Sequence, residues 1–326
     1  LAHVLGVTAT PVRTDGRGLD EIFETLVLGP SIRELTAQGF LTPAVVYAPA
    51  RRLDLSGIRT RAGDYDRHQL ADAMDTPTIT GDAVDHYRRL CPGVPAVVFC
   101  VSIQHAEDVA ADFAAAGFRS AAISGKMPVQ HIRDTVAGLT DGRVQVLTSC
   151  DLISEGFDCP VVEAAILLRP TQSEALYIQQ VGRALRPSPG KSRAVILDHS
   201  GNCFRHGMPD EEREWSLAGR QRRRGAPVAA VPVRQCPKCF ACHKPAPMCP
   251  QCGHVYAPEA REVEQRAGEL EQISSAKVAK ARALKSRIRA ARTLDDFHAI
   301  ARDFGYRKAW ASIRFQITQI YRGASW

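Results

Sequence analysis

The stretch Ala96-Val97-Val98-Phe99-Cys100-Val101-Ser102 decides the fold that the sequence predicts. Its first six residues are all apolar, which is typical of a strand buried on both faces of a sheet. Ser102 suits the N-cap of a helix that runs to Ala116 and is ended by Gly117. A strand followed at once by a helix is the unit from which parallel sheets are built.

The same unit recurs along the following hundred residues. We predict strands at residues 118–123, 144–148, 161–168 and 194–197, and helices at residues 129–139 and 173–185. This alternation predicts an α/β fold in which helices cover both faces of a parallel sheet. We assign these elements to one domain spanning residues 81–200.

The loop after the strand at 144–148 carries small and polar residues. Its hydroxyl groups, Thr148 among them, can hold a phosphate, and Gly156 lets the backbone approach a ligand closely. Asp158 can accept a hydrogen bond from a ribose hydroxyl or from a catalytic water. For each of these polar residues taken singly, a turn or a cap is the alternative.

Two arginines lie three residues apart in the stretch Gln179-Gln180-Val181-Gly182-Arg183-Ala184-Leu185-Arg186. We place them at the start of a helix or in the turn into one. An arginine keeps its charge at any biological pH, and its planar fork fits phosphate oxygens. The alternative is a pair of surface arginines on an amphipathic helix. The stretch therefore predicts phosphate recognition, subject to what its neighbours show.

The first eighty residues precede the predicted domain. An apolar run at 1–7 predicts a buried strand, and Thr8 and Thr10 at its carboxyl end can relay hydrogen bonds between a nucleotide site and a neighbouring domain. A helix is predicted at 19–38 and a strand at 45–47. Residues 49–80 are polar and weakly periodic, so we predict a linker with a short helix near 67–74.

Charge divides the chain of 326 residues unevenly. Residues 1–200 carry 19 basic and 23 acidic side chains, whereas residues 201–326 carry 23 basic and 12 acidic ones. The basic excess favours a polyanionic partner such as DNA or RNA, with a solvated basic surface as the alternative. No apolar run is long enough to cross a membrane, so no membrane partner is predicted.

Five of the ten cysteines cluster between residues 236 and 252, after a basic linker at 201–232. The pairs Cys236–Cys239 and Cys249–Cys252 have the spacing of two knuckles that close a tetrahedral Zn²⁺ site. We predict a zinc ribbon at 233–256, with iron bound by four thiolates as an alternative. Cys242, His243 and His254 are possible substitute ligands. Scattered thiols beside a metal cluster favour a reducing, cytoplasmic location over a secreted disulfide scaffold.

Residues 257–326 predict a small helical region, with a charged helix at 262–292 and shorter helices from 294 and 306. Trp310 and Ile313 follow helical spacing, which favours packing in a core. Stacking of Trp310 on a nucleobase is the alternative.

Four motifs in this order resemble those of superfamily 2 helicases of the bacterial and phage DEAD/DEAH-box type. The segment Gly6-Val7-Thr8-Ala9-Thr10-Pro11 resembles motif III, and Ala96-Val97-Val98-Phe99-Cys100 resembles motif IV. The loop from Ser149 to Asp158 resembles motif V, and the stretch from Gln179 to Arg186 resembles motif VI. The appended cysteine pairs also resemble the zinc ribbons of this group.

The resemblance implies two RecA-like lobes that bind ATP with Mg²⁺ between them and single-stranded nucleic acid across their tops. Residues 1–48 would then be the end of the first lobe and residues 81–200 the second lobe, so we expect an N-terminal portion to be missing. Arg183 and Arg186 would be arginine fingers toward ATP, with Gln179 near the γ-phosphate. By the same resemblance, Gly156 and Asp158 would face the nucleotide. Thr8 and Thr10 would couple ATP hydrolysis to lobe movement. Thr148, Ser124 and Gly125 would lie on the nucleic-acid path.

The sequence departs from the family at the phosphate-binding loop, whose pattern G-x-x-x-x-G-K-[ST] has no match. Gly125-Lys126 and Gly190-Lys191 both lack part of the pattern, and no Asp-Glu-x-His follows a strand. We therefore expect this chain alone to hydrolyse ATP negligibly. Two other functions stay open: a nucleic-acid clamp without catalysis, and the motor part of a restriction enzyme.

Overall fold

The computed structural model describes residues 4–13, 18–49, 55, 57–61, 63–74, 77–151, 158–218, 232–256 and 275–323. The chain divides into two compact units, residues Leu1–Pro258 and Glu259–Trp326. Within the described residues, no helix has the length and apolar character needed to cross a membrane.

An eight-stranded sheet forms the centre of the first unit. Its strands are β1 (Ala44–Tyr47), β4 (Ala96–Phe99), β5 (Ser120–Ile123), β6 (Val146–Ser149), β7 (Ala164–Leu167), β8 (Ala194–Asp198), β9 (Arg234–Gln235) and β10 (Ala241–His243). Their order across the sheet is β5-β6-β4-β7-β8-β1-β10-β9. A separate hairpin pairs β2 (Thr60–Arg61) with β3 (Asp64–Tyr65). The strands from β5 to β1 pair in parallel, which confirms the predicted α/β fold.

Helices at residues 103–115, 129–141 and 174–182 connect the strands where the sequence predicted them, whereas the helices at 77–90 and 202–206 were not predicted. The first unit contains α1 (Ile32–Ala37), α2 (Arg67–Met74), α3 (Pro77–Leu90), α4 (Ile103–Ala115), α5 (Val129–Asp141), α6 (Glu174–Gly182) and α7 (Asn202–His206). Ser102 is the N-cap of α4, as predicted, and its hydroxyl accepts a 3.0 Å hydrogen bond from the backbone N–H of His105. Ser173 caps α6 in the same way.

Two apolar clusters lie on the two faces of the sheet, and β4 contributes to both. Val97 and Phe99 pack in one cluster, while Ala96 and Val98 pack in the other. Successive residues of a strand point to opposite faces, so a strand covered on both sides must be apolar at every position. This is the physical reason that the continuous run at 96–101 could be recognised as a central strand.

Two predictions about the N-terminal segment are wrong. Residues 4–7 are not a buried strand: Leu5 is 89% exposed, and no described strand lies beside them to pair with their backbone groups. The helix predicted at 19–38 is confined to Ile32–Ala37, because Pro30 cannot continue a helix and Ser31 with Glu34 begins a new one through a capping box.

The sheet of the second predicted domain extends beyond residues 81–200. Strand β1 pairs in parallel with β8, with Val46 opposite Ile196, although we expected residues 1–48 to belong to another lobe. On its other edge β1 pairs antiparallel with β10, with Val46 opposite Cys242. The cysteine-rich module is therefore built onto the edge of the sheet rather than attached by a linker alone.

The described part of the second unit, residues 275–323, forms three helices, α8 (Ser275–Ala290), α9 (Leu294–Phe304) and α10 (Lys308–Gly323). Thr293 caps α9 and Gly305 ends it in the left-handed conformation, with φ of 77°. Trp310 packs against the small core around Phe297 and stacks on Tyr306 at 4.5 Å between ring centroids. This placement agrees with the core-packing interpretation of Trp310.

Candidate nucleotide site and metal centre

The two arginines of the 179–186 stretch lie just after a helix, not at the start of one. Helix α6 ends at Gly182, and Arg183 is its C-cap. The chain continues in tight turns, in which the N–H of Ala184 bonds to the carbonyl of Val181 at 3.0 Å. The arginines therefore sit on a turn that follows α6, and we call residues 183–186 the arginine turn.

Arg186 forms an ion pair with Asp158 from the loop before β7. The Nη1–Oδ1 distance is 2.6 Å, and the two side chains are 34% and 76% exposed. An ion pair this open to water contributes on the order of 1 kcal/mol or less, so the arginine can exchange its partner at little cost. The fold thus brings together two residues that the sequence assigned to the nucleotide.

Arg183 is half-buried in the same turn. Burial lowers the pKa of its guanidinium, and the nearby charge of Arg186 adds to this effect while Asp158 opposes it. Arginine titrates so far above neutrality that the group stays charged. Two guanidinium groups and the carboxylate of Asp158 therefore share this corner of the lobe.

The N-terminal segment reaches the same corner through Thr10. The side-chain amide of Gln179 donates a 2.9 Å hydrogen bond to the hydroxyl of Thr10, which is only 4% exposed. Thr8 supports the local turn, since its hydroxyl accepts a hydrogen bond from the N–H of Thr10 at 3.1 Å. Three of the predicted positions, Thr8, Thr10 and Gln179, are thus connected.

The other described residues to which the sequence gave a role are Thr148, Ser124 and Gly125, all expected on the nucleic-acid path. Thr148 is fully buried, and its hydroxyl donates a 2.6 Å hydrogen bond to the carbonyl of Ala106 on α4. A buried hydroxyl bonded to the core has no surface that a nucleic acid can reach. Thr148 therefore packs in the core, and the predicted nucleic-acid contact through its side chain is wrong. Ser124 is buried and Gly125 is exposed at the end of the edge strand β5. Gly156 lies outside the described residues.

A buried arginine that sequence reasoning missed joins the hairpin β2–β3 to the loop after β6. The side chain of Arg169 is 8% exposed and lies between two carboxylates, bonding to Asp151 and lying 3.6 Å from Asp64. Asp151 adopts a φ of 65° and also pairs with Arg67 at 2.6 Å. The available sequence signal was a charged residue directly after a buried strand.

The same network fixes the start of α6. Asp64 accepts hydrogen bonds from the hydroxyl of Thr171 at 2.8 Å and from the N–H of Gln172 at 2.7 Å. The amide of Asn202 donates to the carbonyl of Arg169 and accepts from the N–H of Thr171, both at 3.0 Å. Residues 171–173 lead directly into α6, so the network holds the helix that ends at the arginine turn.

Four thiols converge in the cysteine-rich module. The Sγ atoms of Cys236, Cys239, Cys249 and Cys252 all lie within 4.8 Å of one another, the only such group among the described residues. The Cys236–Cys252 and Cys239–Cys249 distances are 3.6 and 3.7 Å. Tetrahedral bonds of about 2.3 Å to zinc place sulfur atoms ~3.8 Å apart, so the four thiols fit this ion.

The two knuckles share one backbone shape. Phe240 and Gly253, each directly after the second cysteine of its pair, have φ values of 63° and 69°. The other candidate ligands lie elsewhere: His243 bonds to the hydroxyl of Tyr256 at 2.7 Å, and Cys242 is buried next to Cys203 of α7. The predicted set of four cysteines is thus the set that the fold assembles.

Comparison with known proteins gives the class of this protein. Residues 83–188 match the family described as the helicase conserved C-terminal domain. Together with the mostly parallel sheet, this match identifies residues 83–188 as a helicase C-terminal domain of the superfamily 2 type.

Individual relatives support this placement. The chain is 33% identical over 278 residues to a 51.5 kDa protein of a Lactococcus phage, covering 84% of this chain and 61% of that protein. It is 26% identical over 201 residues to a Saccharomyces cerevisiae protein named as an ATP-dependent helicase, IRC3, covering 61% of this chain and 29% of the relative. The chain therefore spans less than two thirds of these relatives.

A solved structure shares the fold. It is a fragment described as an HsdR subunit of a type I restriction enzyme from Vibrio vulnificus, with a TM-score of 0.50 and 21% identity. The similarity covers 62% of this chain and 41% of that one.

Proposed function

We propose that this chain is part of an ATP-dependent nucleic-acid motor and that its arginine turn completes the nucleotide site. The observation that carries the proposal is the convergence of three separate segments. Gln179 bonds to Thr10, and Arg186 pairs with Asp158, so residues from near position 10, the loop before β7 and the end of α6 meet at one corner.

Arg183 and Arg186 would act as arginine fingers, stabilising the charge that spreads over the γ-phosphoryl oxygens during transfer. Asp158 is the partner of Arg186 in the absence of nucleotide, and a phosphate would replace Asp158. Because the pair is exposed and weak, this exchange costs little compared with the charge-assisted bonds that a phosphate accepts.

Another RecA-like lobe would provide the remaining parts of the site. The sequence contains neither a phosphate-binding loop nor an Asp-Glu-x-His after a strand, so the ligands for Mg²⁺ and most phosphate contacts come from elsewhere. We accordingly expect this chain alone to hydrolyse ATP negligibly.

Nucleic acid is the proposed track, either DNA or RNA. Residues 201–326 carry 23 basic and 12 acidic side chains, which favours a polyanion over a neutral partner. The four clustered cysteines would hold a structural Zn²⁺, because four thiolates leave no open position for chemistry.

The test compares two exposed arginines in an extended protein that includes the phosphate-binding loop. Arg186→Ala should lower kcat for ATP by at least about a hundredfold while leaving DNA binding intact. Arg143→Ala is the matched control, since Arg143 also pairs with an aspartate, Asp141, on the surface of the same lobe. Equal ATPase rates in the two variants would refute the arginine-finger role.

A restriction motor is the second candidate, favoured by the fold shared with the HsdR fragment. Both candidates predict ATP-driven movement, and cleavage of DNA by the extended protein would distinguish them. A clamp without catalysis predicts salt-sensitive binding that ATP does not alter.

A further inference from the structure

Lys191 makes three short hydrogen bonds, all to backbone carbonyls. Its Nζ lies 2.6 Å from the carbonyl oxygen of Val162, 2.6 Å from that of Ala184 and 2.7 Å from that of Arg186. An ammonium group has three hydrogens to donate, so this geometry uses all of them. Ala184 and Arg186 belong to the arginine turn, and Val162 follows the loop of Asp158.

We propose that Lys191 is a positioning residue that holds the arginine turn against the Asp158 loop; the inference rests on the function proposed above. Two of the three carbonyls follow the end of α6, where backbone acceptors have no partner within the helix. The charge of the lysine also suits the negative end of a helix dipole. Arg183 and Arg186 can reach a phosphate reproducibly only if the turn that bears them is fixed.

The three bonds to carbonyls also exclude direct binding of a phosphate by Lys191. Gly190-Lys191-Ser192 resembles the end of a phosphate-binding loop in sequence, but Lys191 cannot contact a phosphate while its hydrogens bond to carbonyls. Lys191 instead acts on the nucleotide site through the backbone of the arginine turn.

The arrangement depends on the charge of Lys191. Burial lowers the pKa of Lys191 to about 8, opposed by the charge of Glu163. A neutral amine has two hydrogens, so deprotonation removes one of the three bonds and loosens the turn as the pH rises through about 8.

The charged side chains of the neighbouring segments are the carboxylates of Asp158 and Glu163 and the guanidinium groups of Arg183, Arg186 and Arg193. Burial raises the pKa of the Cys159 thiol, which therefore stays neutral. A change in the turn near pH 8 thus reports on Lys191.

Hydrogen–deuterium exchange on the chain as it stands tests the inference without ATP. Lys191→Met should make the amides of residues 183–185 exchange at least about tenfold faster, because a hydrogen bond to a charged group typically contributes more than 1.4 kcal/mol. Lys191→Arg should retain most of the protection. Lys126→Met is the matched control, since Lys126 is exposed and also follows a glycine. Unchanged exchange in Lys191→Met overturns the proposal.

If Lys191→Met does not fold, the pH dependence of exchange in the wild-type protein tests the positioning role instead. Exchange at residues 183–185, corrected for its intrinsic pH dependence, should accelerate between pH 7 and 9, and a flat profile overturns the role.

An ATPase assay of the extended protein separates this inference from the proposed function. Lys191→Met should lower kcat with KM little changed, and Lys191→Arg should abolish the decline in kcat above pH 8. If exchange rises in Lys191→Met but the ATPase is unchanged in both it and Arg186→Ala, the proposed function fails and the structural role stands. If Arg186→Ala alone loses activity, the positioning role fails.

Discussion

The side-chain amide of Gln179 at the end of α6 bonds to the buried hydroxyl of Thr10 at 2.9 Å, joining segments 169 residues apart. Thr10 belongs to a segment with no regular secondary structure, so its position depends on such individual contacts. The bond gives the N-terminal segment a fixed point beside the arginine turn. In the proposed motor, this bond would transmit a change at the nucleotide to that segment.

A double-mutant cycle measures this contact. Thr10→Val and Gln179→Ala should each lower the free energy of unfolding by about 1 kcal/mol, and together they should cost less than the sum by ~0.5–1.5 kcal/mol. Urea denaturation of the four proteins gives these values. Thr135→Val combined with Gln179→Ala is the control and should be additive, because the hydroxyl of Thr135 bonds within α5, to the carbonyl of His131. Additivity for Thr10 as well would contradict a coupling.

The buried Arg169 should be far more sensitive to substitution than its exposed neighbour. Arg169→Met leaves Asp64 and Asp151 without their shared cation, and we expect a loss of about 3–5 kcal/mol in the free energy of unfolding. Arg67→Met removes a pair to the same Asp151 but from a side chain that is 66% exposed, so the loss should stay below about 1 kcal/mol. Similar losses in denaturant titrations would show that the network does not stabilise the lobe.

Acid should destabilise the first unit through His199. Burial lowers the pKa of His199 to about 3, and the charge of the adjacent His86 adds to the shift. An unfolded histidine titrates near 6.5, so between about pH 6.5 and 3 the unfolded chain binds a proton that the folded chain does not. Stability should therefore fall as the pH falls through this window.

His199→Gln should make this decline shallower, as followed by urea unfolding between pH 7 and 5. His131→Gln is the comparison, because His131 is exposed on α5. An equal slope in wild type and His199→Gln would assign the acid sensitivity to other groups.

Removing a cysteine ligand should release the metal and open the edge of the sheet. Cys249→Ser is expected to bind less than a tenth as much zinc as the wild type, and β10 should then lose its pairing with β1. Metal analysis gives the stoichiometry, and amide exchange at Val46 reports on the edge. Cys242→Ser, which alters a buried cysteine outside the cluster, should keep one zinc. Iron in the purified protein, or equal metal content in both variants, would contradict the zinc assignment.

Local patterns were sufficient for much of the fold. The apolar run at 96–101 predicted β4, Ser102 predicted the start of α4, and paired cysteines predicted the four thiols that meet. Each of these features depends on neighbouring residues: the burial of a strand, the capping of a helix, or a knuckle that brings two thiols to one side.

Prediction failed where a residue's role depends on distant partners. Thr148 has the hydroxyl that a nucleic-acid contact needs, but Ala106 accepts its hydrogen bond in the core. Nothing near Arg169 in the sequence indicates that Asp64 pairs with it across more than a hundred residues.

The sequence by itself determined the parallel sheet, its covering helices and the cluster of four cysteines, because periodicity and spacing encode short-range structure. Only the tertiary structure decided that Lys191 bonds to three carbonyls and that Thr10 lies against Gln179. Such contacts form when separate segments pack together, and a buried polar group takes whichever partner the packed chain places beside it.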